Sequence, residues 1–137
     1  MRELAIYVDG ASSGNPGPAG VGVVICERGE VIKNISSYIG SATNNVAEYS
    51  ALICALEEAL ILKADNIKIN TDSQLLYRQI KRLYKVKNPQ ILVLYSRASH
   101  LMSAFKEIEI NFINREHNRG ADKLAKKAVK TKKTVCQ

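Results

Sequence analysis

Residues Ile6–Gly22 read IYVDGASSGNPGPAGVG, and the fold turns on this stretch. An apolar run, Leu4 to Val8, ends on a single carboxylate, Asp9. A glycine-rich loop follows, and a second apolar run, Val21 to Cys26, begins after it. Short apolar runs bounded by turn residues read as buried strands, with the loop as their hairpin connection. Asp9 is therefore expected where a central strand leaves the core. Gly10, Gly14 and Gly17 let the backbone bend and let a large ligand come close. On this stretch alone, Asp9 reads equally well as a residue that merely opens a turn.

Outward from the hairpin, Glu30–Ile39 alternates as a third strand after a turn at Arg28-Gly29, and Gly40–Thr43 reads as a loop. Thr43 or Asn44 caps a helix running to about Leu62. Ile67–Thr71 is a strand ending at Asp72, and Ser73 opens a short helix to about Leu83. After a basic connector, Pro89 suits the first turn of a helix reaching about Phe105. Glu107–Asn114 is the last strand, Asn118 to about Lys130 the last helix, and residues 130–137, KTKKTVCQ, look frayed. This order predicts an α/β fold with a five-stranded mixed sheet, in which antiparallel hairpins are extended by parallel strands through crossover helices. The 137 residues suit one domain, 1–137, with one core.

Composition narrows the class. A hydrophobic share of 46% is ordinary for a globular chain, and no apolar run is long enough for a membrane helix. No charged-then-apolar leader precedes the first strand, so the expectation is an intact cytoplasmic protein without a membrane partner. Twenty Lys and Arg against 13 Asp and Glu give a net charge of +7, which favours a polyanionic partner. Cys26, Cys54 and Cys136 have no metal-ligand spacing. The first two read as small buried hydrophobes, the third as a free thiol or a clip on the tail. The tail lysines, Lys126–Lys133, read as a solubilising face.

Set against this basic background, four carboxylates arrive at element junctions. On a helical wheel Glu48 shares a stripe with Ala51, Leu52, Ala55, Ala59 and Leu62, opposite Glu57. A carboxylate on a packing stripe costs desolvation unless something compensates it. Asp72 repeats the Asp9 pattern after IKINT, and ligand sites in α/β sheets lie beyond the carboxyl ends of strands. Asp122 comes early on the last helix, at the edge of the stripe Ala121, Leu124, Ala125 and Val129. Carboxylates gathered together repel unless cations bind among them, and hard oxygen ligands with only two histidines suit Mg²⁺ or Mn²⁺. Two such ions roughly 3.5–4 Å apart activate a water and stabilise a leaving oxygen. Basic charge and a carboxylate metal site together point to phosphodiester hydrolysis in nucleic acid.

DGASSGNPGPAGVG, TNNVAEYSAL, NTDSQLL and REHNRGADKLA, in this order and spacing, resemble the motifs of ribonuclease H type 1, in its short form without the basic handle. The resemblance covers Ile6 to about Ala128. It implies the RNase H fold and Mg²⁺- or Mn²⁺-dependent endonucleolytic cleavage of the RNA strand in RNA–DNA hybrids, leaving 5′-phosphate and 3′-hydroxyl ends. It further implies in-line attack by water, with Asp9, Glu48, Asp72 and Asp122 as metal-binding catalytic carboxylates and Asp9 bridging two ions. Gly10, Asn15, Asn44, Asn45 and Gln74 fall where the family holds the hybrid, and their donors and acceptors suit 2′-hydroxyl readout in the minor groove.

Two departures follow. The loop before the last helix is short, so Arg115 replaces the family's loop histidine as the expected functional residue, and His117 reads better as a polar residue at a helix start. In place of the handle, Arg78, Lys81, Arg82, Lys85 and Lys87 cluster around Tyr84, either against DNA phosphates or as a solvated face. RNA–RNA duplexes are a second candidate substrate, and a monomer is expected. The rival readings are a non-catalytic hybrid-binding protein of the same fold and a DNA-cutting nuclease of the resolvase or transposase type.

Overall fold

The structure is a computed structural model that describes residues Met1–Gln137. Strand β1 (Glu3–Ser12) lies at the centre, with the parallel strand β4 (Asn66–Thr71) on one side and the antiparallel strand β2 (Gly17–Glu27) on the other. Beyond β4 runs β5 (Glu107–Phe112), also parallel; beyond β2 run β3 (Glu30–Ala42) and then β6 (Val135–Cys136). Helices α1 (Asn44–Ile61), α2 (Gln74–Ile80), α3 (Pro89–Met102) and α4 (Arg119–Thr131) complete the α/β architecture. The central strands are buried because β1 and β4 present apolar residues to a shared core: Leu4, Ile6, Val8, Ile67 and Ile69 are all at most 2% exposed.

The sheet has six strands, one more than the sequence predicts. The residues expected to fray form β6: Ile35 and Ser36 of β3 pair with Cys136 and Val135, and the backbone of Asn34 exchanges two hydrogen bonds with Gln137. A two-residue strand carries too little periodicity to be read from sequence, while the open edge of β3 supplies the partner for it. The strands are also longer than their apolar runs. Gly10–Ser12 and Gly40–Ala42, expected as loop, extend β1 and β3 because each finds ladder partners on β2. All three cysteines are free thiols, with Cys26 and Cys54 half-buried and Cys136 exposed on β6.

Helix starts follow their caps. The Thr43 hydroxyl accepts from the Val46 N–H, the Ser73 hydroxyl from the Leu76 N–H, and the Asn88 side chain from the Gln90 and Ile91 N–H groups ahead of Pro89. Helix α1 packs on β1 and β2 and is backed by α3; α4 packs on β1, β2 and β3. Gly10, Gly20 and Gly22 set how closely these helices approach. A Cβ at Gly10 would lie 2.3 Å from the Ala47 carbonyl carbon, and one at Gly22 would lie 2.0 Å from the Ala121 carbonyl oxygen. Gly10 thus receives the first turn of α1, and Gly22 receives the first turn of α4.

Candidate active site

Asp9 pairs with Gly22 across the β1–β2 ladder, so the two share one face of the sheet, and Gly10 presents the other. The close approach of α4 at Gly22 brings Asp122 to Asp9. At Gly10, the close approach of α1 lets a Glu48 carboxylate oxygen accept the Gly10 N–H at 2.5 Å. Asp72 enters from the end of β4, whose register sets Thr71 beside Val8. Three elements of distant sequence position therefore converge on one strand.

Ligand oxygens of Asp9, Glu48 and Asp72 all lie within 4.8 Å of one another. Asp122 joins them in the lining of an open groove of about 550 Å³, together with Gly10, Asn44, Gln74 and Arg115. Asp9 is only 5% exposed. Burial, reinforced by the charges of Glu48 and Asp72, pushes its carboxyl up to about 9. Burial pushes Glu48 up to about 7, against the stabilising hydrogen bond from Gly10. These carboxylates cannot all be ionised at such range without a compensating cation. Every donor is a hard oxygen, which fits Mg²⁺ or Mn²⁺ and not a thiolate- or imidazole-seeking metal.

Asp9 lies within β1, which continues three residues beyond it to Ser12, so the expectation that it ends the strand is corrected. Arg115, in the single 3₁₀ turn Arg115–His117, reaches the groove, whereas His117 is exposed and outside its lining. Asn15 accepts the Asn44 backbone N–H at 3.0 Å and so braces the start of α1, while Asn45 has a buried Oδ1 without a partner. Neither lines the groove. The basic cluster is separate as well: Arg78 stacks 4.9 Å over the Tyr84 ring and hydrogen-bonds its hydroxyl, Lys81 and Lys87 are exposed, and Arg82 and Lys85 line a different depression with Tyr84 and Tyr95.

Two positioning residues escape a reading of the sequence. The side-chain amide of Asn118, a residue 1% exposed, donates to the Val8 carbonyl at 2.9 Å and to Asp72 at 3.3 Å, and its backbone carbonyl accepts the Asp122 N–H. It ties β1, Asp72 and α4 together. In sequence it looks like a helix-start residue, and only its neighbour Asp122 marks it. Lys126 forms an ion pair with Asp122 at 3.0 Å and lies in the groove lining. Its i, i+4 spacing from Asp122 was the available signal.

A family model described as "Reverse transcriptase-like" matches residues 7–128. The crystal structure of RNase H1 from the halophilic archaeon Halobacterium salinarum NRC-1 superposes with a TM-score of 0.92 at 39% identity, covering 94% of this chain and 98% of that one. The chain belongs to the type 1 ribonuclease H family. Ribonuclease HI of that organism is 41% identical over 124 residues, which are 90% of this chain and 62% of the relative. The bifunctional protein Rv2228c of Mycobacterium tuberculosis is 41% identical over 129 residues, 93% of this chain and 35% of that protein. The chain thus spans about a third to under two thirds of these relatives' lengths. LC11-RNase H1, solved in complex with an RNA/DNA hybrid, superposes with a TM-score of 0.88 at 39% identity over 94% of this chain and 98% of that one. The RNase H fold expected from the motifs is the one observed.

Proposed function

We propose that this ribonuclease H is an endonuclease that hydrolyses the RNA strand of RNA–DNA hybrids and leaves 5′-phosphate and 3′-hydroxyl ends. The observation that carries the reading is the convergence of Asp9, Glu48 and Asp72 within 4.8 Å, with Asp122 and Arg115 in the same groove. Asp9, Glu48, Asp72 and Asp122 would hold two divalent ions, Mg²⁺ or Mn²⁺. When bound, such ions activate the attacking water and stabilise the leaving oxygen. The chain's own residues supply the rest. The Gly10 N–H and the Asn118 amide hold Glu48 and Asp72 in place, so the carboxylates are set before substrate arrives. Asn44 and Gln74, exposed on the groove, offer amides to the minor-groove face, where the 2′-hydroxyl separates RNA from DNA. Arg115 presents a cation to the phosphate being cut.

The hybrid complex of LC11-RNase H1 supports a hybrid as substrate. Double-stranded RNA is a second substrate in this reading, and the working form is a cytoplasmic monomer in which residues 1–137 act as one domain. No helix is long and apolar enough to cross a membrane. The test uses a hybrid labelled on the RNA strand, with the wild type beside Asp9→Asn, Glu48→Gln and Asp72→Asn. Each variant is expected to lose cleavage while remaining folded. Wild-type rates from a folded Asp9→Asn protein would overturn the assignment.

A further inference from the structure

A second groove, of about 480 Å³, adjoins the first on the α4 side and shares Ala11, Ser12 and Lys126 with its lining. Lys130, Lys132 and Ser13 complete its polar wall, and no acidic residue lines it. We infer that this groove is an anion site that seats a backbone phosphate of the bound nucleic acid, a few nucleotides from the bond that is cut. The inference rests on the nucleic-acid reading above.

Three observations carry it. Lys130 and Lys132 enter no ion pair, so their charges are free for a phosphate, unlike Lys126, which faces Asp122. The groove is continuous with the catalytic one along β1 and α4. From Asp122 to Lys130 the helix rises roughly 12 Å, a span of a few nucleotides on a strand that advances about 3.4 Å per nucleotide along the duplex axis. Lys132 also occupies a left-handed backbone position, φ 53°, where its N–H caps the helix on the Ala128 carbonyl. Glycine fits that position with less strain. Lys132 lines the groove and places a cation there.

The test compares Lys130→Ala/Lys132→Gly with Lys127→Ala/Lys133→Ala, which removes the same charge from α4 and the segment after it but outside the groove. The Gly substitution relieves the left-handed residue, so the fold is not at risk. Hybrid retention is measured by fluorescence anisotropy across a salt series in EDTA, beside KM and kcat with Mg²⁺. The groove variant is expected to raise KM about tenfold with kcat unchanged. It should also flatten the dependence of log K on log salt by about 1, since a lost phosphate contact removes about 0.9. Hybrids shortened from the end that reaches this groove should lose the difference between variant and wild type. Equal behaviour of the two double variants would overturn the phosphate site while leaving the nuclease intact. A wild type that neither retains nor cuts the hybrid would overturn the reading beneath it, and this inference with it.

Discussion

Replacing Asp9 with Asn should stabilise the metal-free protein, because the wild-type carboxyl is held in a place hostile to its charge. Its ordinary value of 3.8 is pushed up to about 9 in the fold, first by burial and then by Glu48 and Asp72. Between those values the folded state holds a proton that the unfolded chain has released. Stability therefore falls as pH rises through that window, the reverse of a salt-bridged aspartate. At pH 7 the penalty on Asp9 alone has a ceiling of about 4 kcal/mol, and sharing with Glu48 leaves about 2 kcal/mol. For a domain of this length that is a rise in Tm of roughly 7 °C for Asp9→Asn in EDTA. The gain should grow from weakly acid to alkaline pH and level off near 9. Saturating Mg²⁺ should reverse the order, since an ion bound at a hundred times its Kd gives the wild type about 2.7 kcal/mol that the variant cannot match. Differential scanning calorimetry at three pH values, with EDTA and with Mg²⁺, reads both effects. A variant that melts at or below the wild type in alkaline EDTA would refute the reasoning.

Other outcomes follow from the same geometry. Gly22→Ala would set a methyl 2.0 Å from the Ala121 carbonyl oxygen, so α4 must shift; a stability loss of about 1–3 kcal/mol in urea titration and at least a tenfold loss of cleavage are expected. Asn118→Ala removes the amide that joins Val8, Asp72 and α4, costing about 1–3 kcal/mol and lowering kcat more than it raises KM. Mg²⁺ affinity, measured by calorimetry, should tighten as pH rises past 7 and toward 9, with proton release, because Glu48 and Asp9 must ionise to bind.

Three of the four carboxylates proposed to hold the metal ions could be found in the sequence because each breaks a local rule. Glu48 interrupts an apolar helical stripe, and Asp9 and Asp72 close apolar runs. Their assembly could not be found so directly. It depends on Gly10 and Gly22, which look like turn and strand residues until a helix backbone is seen lying against each. Asn118 was hidden for a similar reason, since its partners Val8 and Asp72 are 110 and 46 residues away. Apolar periodicity placed the strands but shortened them, because Gly10–Ser12 and Gly40–Ala42 are held by ladder partners and not by burial. Val135 and Cys136 gave too short a pattern to outweigh the lysines before them.

The central claim is metal-dependent cutting of RNA within a hybrid. The most direct measurement incubates end-labelled RNA–DNA, RNA–RNA and DNA–DNA duplexes with the wild type in Mg²⁺, Mn²⁺ or EDTA and resolves the products on a denaturing gel. Cleavage confined to RNA strands, present with a divalent ion and absent with EDTA, is the predicted result. Retention of the hybrid without cleavage in either metal, or cleavage of the DNA–DNA duplex, would contradict the account.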